Sequence, residues 1–91
     1  MQVSQNFIAR EVAGEYLLIP TGAAALETKG LIALSESGYF LFQLLQEDHT
    51  EDALVEAMRG EYDAPEEVIR ADVAAFLQQM RDVQVLEEAG E

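Results

Sequence analysis

His49, flanked by Asp48 and Thr50, is the only histidine in the chain and its first candidate for acid–base chemistry. An imidazole oriented by a carboxylate can exchange a proton near neutral pH. Here the neighbours belong to a polar stretch, Glu47-Asp48-His49, and His49 reads as a solvated turn residue. The chain has no cysteine. That excludes a thiolate nucleophile, a disulfide and thiolate-built zinc or iron–sulfur sites. No serine is marked as activated by a neighbouring base. The acidic pairs Glu47-Asp48, Glu51-Asp52 and Glu66-Glu67 lack the alternating spacing and central glycine of a calcium loop. Gly22 and Gly30, even with Lys29 nearby, do not build a phosphate-cradling loop. The expectation is no catalysis, no cofactor and no metal.

Charge narrows the field further. Eighteen acidic residues stand against five basic ones, a formal net charge of −13. So acidic a chain repels nucleic acid and anionic membranes. Arg70, Gln78, Gln79 and Arg81 could suggest a recognition helix, but Glu66, Glu67, Asp72 and Asp82 dilute them. The acidic residues read as a solvated helix surface or as steering for a basic partner. No apolar run is long enough to span a bilayer, and Met1 to Arg10 lacks a signal-peptide layout. A cytoplasmic location is expected. Ninety-one residues, 49% of them hydrophobic, suit one domain over 1–91. Residues 1–6 and 87–91 are expected to fray.

The elements follow from patterning. Residues 7–12 and 15–20 are rich in β-branched and aromatic residues, and Ala13-Gly14 between them suits a hairpin turn. Residues 21–30 are a connection of small residues in which 23–27 could make a helical turn. A short strand, Leu31-Ile32-Ala33-Leu34, then runs into Ser35, a good helix cap. Gly38 to Leu45 is apolar nearly all round, as in a helix at the domain centre. Thr50 caps a second helix to Tyr62, with Leu54, Met58 and Tyr62 on one face. Asp63-Ala64-Pro65-Glu66 signals a third helix, with Asp63 as cap, running to about Asp82. Its apolar stripe is Ile69, Val73, Phe76, Leu77 and Met80. Val83 to Leu86 reads as a short strand or an extended tail. The fold class is α+β: a three-stranded antiparallel sheet followed by three helices.

A small sheet has edges, and an edge strand offers unpaired N–H and C=O groups to an extended partner. Natural edges are usually guarded by charge or proline; Leu31 to Leu34 carries neither. From patterning alone this strand could equally be central or covered.

An ordered set of residues resembles a known family. It comprises Ala13-Gly14-Glu15-Tyr16-Leu17-Leu18-Ile19-Pro20, Gly30 to Gly38, Leu44-Leu45, Glu61-Tyr62-Asp63 and Asp72-Val73-Ala74-Ala75-Phe76-Leu77. Over about 7–86 the chain resembles the PqqD family, the RiPP recognition elements of ribosomal peptide-modification pathways. It departs at Ser35, where the family usually has Asn, and at 83–86, where a Gly often precedes the closing apolar pair. The resemblance implies a winged-helix-like domain without catalysis of its own. It implies binding of a precursor peptide's leader as an added strand on the third strand, in a groove walled by the third helix. It further implies presentation of that peptide to a modifying enzyme, frequently a radical SAM enzyme. By position, the backbone of Lys29, Gly30, Leu31, Ile32, Ala33 and Leu34 would pair with the leader. Of the two flanks of the third helix's stripe, the one bearing Val68, Asp72, Ala75 and Gln79, with Ala71 and Phe76, is taken to line the groove because the small Ala71 and Ala75 let a peptide approach; the other, Arg70, Ala74, Leu77 and Arg81, stays open as an alternative, and Asp72 is either a polar anchor or a solvated residue. Two alternatives remain: a docking module for a large enzyme that binds no peptide, and a subunit lending acidic residues to a shared site. Either a monomer or a homodimer is compatible with an open edge.

Overall fold

The computed structural model describes residues 1–22 and 31–87. In chain order the elements are β1 (Gln2–Val3), β2 (Phe7–Val12), β3 (Glu15–Pro20), β4 (Ile32–Leu34), α1 (Glu36–Leu44), α2 (Glu51–Glu61), α3 (Glu66–Asp82) and β5 (Leu86–Glu87). β2, β3 and β4 form an antiparallel sheet in that order, and three helices follow it. This is the expected α+β, winged-helix-like layout. A second, two-stranded ladder joins β1 to β5.

The β2–β3 hairpin pairs Val12 with Glu15 across Ala13-Gly14. Both turn residues have positive φ, 54° at Ala13 and 82° at Gly14. That is the tight turn whose twist matches paired strands, and glycine enters it without a Cβ penalty. Register sets the sheet faces. Leu18, opposite Ala9 and Ile32, is fully buried, and Leu34, opposite Tyr16, is nearly so. Ala33, opposite Leu17, turns to the other face and is exposed.

α1 starts where Ser35 Oγ accepts from the Gly38 N–H at 3.0 Å. α2 starts where Thr50 Oγ1 accepts from the Ala53 N–H at 3.1 Å. Each side chain satisfies a donor that the first helical turn leaves unpaired. The core gathers Leu18 from the sheet, Leu41, Phe42 and Leu45 from α1 and its end, Leu54, Val55 and Met58 from α2, and the α3 stripe Ile69, Val73, Phe76, Leu77 and Met80.

Four details depart from the expectations of patterning. The third strand begins at Ile32, and Leu31 lies outside it, 57% exposed. α2 ends at Glu61, with Tyr62 as its C-cap. Asp63 does not cap α3; the N-cap is Pro65, without a side-chain bond, and its carbonyl accepts from Val68 and Ile69. Proline's fixed φ suits it to a helix start, and it takes the boundary two residues past Asp63. Finally, residues 2 and 3 are not frayed. Val3 is 3% exposed, its N–H donates to the Leu45 carbonyl, and the Ser4 N–H donates to that of Val85. Glu87 at the other end belongs to β5. Burial of one valine between two helix ends holds this ladder, a contact no local pattern announces. The expected helical turn over 23–27, and the docking residues Lys29 and Gly30, lie outside the described residues, as do 88–91.

α3 closes on a Schellman pattern. The Val85 N–H donates to the Met80 carbonyl and the Gln84 N–H to that of Arg81. Gln84 takes φ 61°. This is the place where the resemblance leads one to expect glycine, and Gln84 occupies the left-handed conformation in its stead.

Candidate peptide-binding edge and groove

β4 hydrogen-bonds to β3 on one side and has no strand on the other among the described residues. Its three residues, Ile32, Ala33 and Leu34, bear no charge and no proline. Ile32 and Leu34 direct their side chains to the core, leaving backbone and the small Ala33 at the surface. Among the described residues the edge is thus open in chemistry as well as in topology.

The chain then turns from Leu34 into the α1 cap. Ser35 Oγ also lies 3.2 Å from Ser37 Oγ, so two hydroxyls are held together at the strand's end. The ring of Tyr39 stacks on Tyr16 at 4.4 Å between centroids and ties α1 to β3. Gly38 brings α3 close. A Cβ built there would sit 3.4 Å from the Phe76 ring and 3.2 Å from Ser35 Oγ. The missing side chain lets Phe76 pack directly under the start of α1.

Two open depressions flank that contact. One, about 310 Å³, lies between Ser35, Ser37 and Gly38 on one side and Asp72, Ala75, Phe76 and Gln79 on the other. The second, about 430 Å³, shares Ser35, Ser37 and Asp72 and continues over Met58, Tyr62 and Ile69 to Glu36, Asp63 and Ala64. Together they form a groove walled by α3 that starts where β4 ends. Tyr62 is braced from behind by an edge-on contact with Phe40 at 5.8 Å.

The expected site residues therefore divide. Asp72, Ala75, Phe76 and Gln79 come together on one wall of the groove. Ile32, Ala33 and Leu34 form the adjoining edge strand. Val68 and Ala71 are exposed on α3 but line neither depression. Leu31 precedes the edge strand. Ser37, Gly38, Glu36, Met58, Tyr62 and Asp63 also line the groove, and sequence reasoning did not select them. One signal was present: a glycine within an otherwise bulky apolar helix points to a close packing contact.

Among the described residues the groove is lined by the carboxylates Glu36, Asp63 and Asp72 and by no cation. The Glu11 carboxylate first, then burial, then Glu36, push the Tyr16 hydroxyl above its ordinary range. Burial first, then Glu36 and Glu61, do the same for Tyr62. The cations of α2 and α3 nearest the groove are engaged elsewhere. Arg70 reaches Glu66 at 2.9 Å and Asp52 at 3.2 Å; Arg59 reaches Glu56 at 3.0 Å and Glu66 at 3.5 Å. The Arg70 hydrogen bond holds the Glu66 carboxyl below its ordinary value. His49 stands apart from the groove, with Nδ1 3.0 Å from the Glu47 carbonyl oxygen. Among the described residues no group of three or more His, Cys, Asp or Glu is placed to hold a metal ion, and no helix is long and apolar enough to cross a membrane.

These features define a class: a small α+β, winged-helix-like domain with one unguarded sheet edge opening onto a helix-walled groove. A family profile described as coenzyme PQQ synthesis protein D (PqqD) matches residues 23–86. The match spans more than half of the chain, and the chain belongs to the PqqD family. A solved structure described as "TbiB1 in Complex with the TbiA(beta) Leader Peptide" is similar in fold, with a TM-score of 0.75 over 100% of both chains and 22% sequence identity. No curated protein matches.

Proposed function

We propose that this chain is a non-catalytic adaptor that binds the leader of a ribosomally made precursor peptide. The leader adds as a strand to the free edge of β4, beside α3, and is presented to a modifying enzyme, for which a radical SAM enzyme is the leading candidate. The observation that carries the reading is the uncharged edge of β4, which opens onto the Ser35–Asp72–Gln79 groove. Backbone pairing supplies affinity that tolerates sequence, and the groove supplies selectivity. Membership of the PqqD family and the likeness to a protein solved with a leader peptide support the same reading. Binding requires no cofactor, and the cytoplasm, where precursors are made, is the proposed place of action.

The test is calorimetric titration with the leader of a precursor encoded beside this gene, together with amide-shift mapping. Micromolar or tighter binding, with shifts concentrated in 31–34 and along α3 from Val68 to Gln79, supports the reading. Shifts that avoid both segments contradict it.

A further inference from the structure

The groove carries information about the peptide's side chains as well as its backbone. Its larger depression begins at Ser35, the residue after β4, so a strand added along Ile32–Leu34 has this space at its end. Half-buried Tyr62, over the buried Met58 and Ile69, gives it an apolar floor, and the exposed Glu36, Asp63 and Asp72 stand around it. No cation lines it. Arg59 and Arg70, on the neighbouring helices, are held by Glu56, Glu66 and Asp52. An apolar surface with an anionic rim matches a side chain with a long hydrocarbon stem and a cationic head. A neutral aliphatic side chain would gain nothing from the carboxylates, which stay hydrated, and an acidic one would be repelled. A bare metal ion is a poor alternative, since the described residues hold no cluster of ligands placed for one.

We infer that the peptide accepted by this edge carries an arginine or lysine just beyond its β4-paired segment, and that Asp72, with Glu36 and Asp63, selects that residue. The inference rests on the strand-addition reading and deepens it. Asp72 is the pivotal group because it borders both depressions.

The experiment uses the whole chain against a displayed library of random extended peptides. The best binder is then synthesised twice, once with its Arg or Lys and once with citrulline or norleucine in that place. The expected result is enrichment of a basic residue at a fixed distance from the apolar run. The charged peptide then binds at least about tenfold more tightly than its neutral twin, and raised salt narrows the gap. In the Asp72→Asn, Glu36→Gln, Asp63→Asn triple variant the twins bind alike, at the affinity of the neutral peptide for the parent protein. These carboxylates are exposed, so the fold is retained, and unchanged β4 amide shifts with the neutral peptide verify this. Equal binding of the twins to the parent protein, with both shifting Ile32 to Leu34, overturns the charge selection and leaves strand addition standing. Peptides that bind without shifting Ile32 to Leu34 overturn strand addition itself, and the inference with it.

Discussion

The three-stranded sheet ends differently on its two sides. β2, at one edge, carries Arg10 and Glu11, both exposed, in its outer half. β4, at the other, carries Ile32, Ala33 and Leu34 and no charge. Charged side chains on an edge discourage a further strand, and their absence permits one. The edges also differ at their C-terminal ends: β2 leads into the tight Ala13-Gly14 turn, whereas β4 leads into the Ser35 cap and a groove. One sheet thus has a charged edge and an uncharged edge, and the difference lies in a handful of side chains.

The largest effect is expected from blocking the uncharged edge. N–H groups alternate in direction along an antiparallel strand, so of Ile32 and Ala33 one donates toward β3 and the other toward the free edge. Proline removes the donor. Between Ile32→Pro and Ala33→Pro, the one that blocks the free edge should keep the fold and weaken leader binding at least about tenfold, roughly 1.4 kcal/mol. The other should loosen β3–β4 pairing. Calorimetry and thermal unfolding, read together, separate the two. If both variants fold and bind as the parent does, the two edges are not functionally different.

Ser35→Ala tests whether the groove depends on its cap. Loss of the Oγ bond to Gly38 should cost about 1 kcal/mol of stability in urea unfolding. It should also weaken peptide binding, because Ser35 borders both depressions.

A smaller change is expected far from either edge. Gln84→Gly relieves a left-handed backbone worth roughly 1 kcal/mol, but glycine gives part of that back by enlarging the unfolded ensemble. The net expectation is a stabilisation of about 0.5 kcal/mol in urea unfolding, with leader affinity unchanged. A shift in affinity would mean that the β1–β5 end and the groove are coupled.

The smallest effect belongs to the surface pair Glu66–Arg70. Its carboxyl is held below the usual range, so its contribution is fully present above the ordinary carboxylate pKa and is lost as pH falls through the lowered value. Glu66→Gln should lower the melting temperature slightly at neutral pH, and the difference should vanish in strong acid. Peptide binding should not change, since Glu66 lines neither depression.

Much of the fold is legible in the sequence because it is local. The Ser35 and Thr50 caps, the Ala13-Gly14 turn and the Ile69–Met80 stripe each follow from residue type and spacing, and the structure bears each of them out. The uncharged strand is legible too, but its place at an edge is not, because strand order depends on how distant segments pair. β1 escapes patterning for the same reason: two residues carry no periodicity, and Val3 is held by Leu45 and by the strand formed at Leu86. Asp63 misleads as a cap because a capping pattern and a helix-starting proline overlap there. On α3, patterning leaves two flanks open beside the stripe that holds Phe76; Asp72, Ala75 and Gln79 of the chosen flank border the smaller depression with Phe76, whereas Val68 and Ala71 fall outside. That division depends on where Gly38 lets α1 meet Phe76, which is a property of packing between helices.

The central claim is that a partner strand is received at β4 and not at β2. Amide hydrogen exchange with and without bound leader tests it most directly. The account predicts that binding slows exchange at whichever of Ile32, Ala33 and Leu34 donates toward the free edge, while residues 10–12 are unaffected. New protection confined to Arg10, Glu11 and Val12 would contradict it.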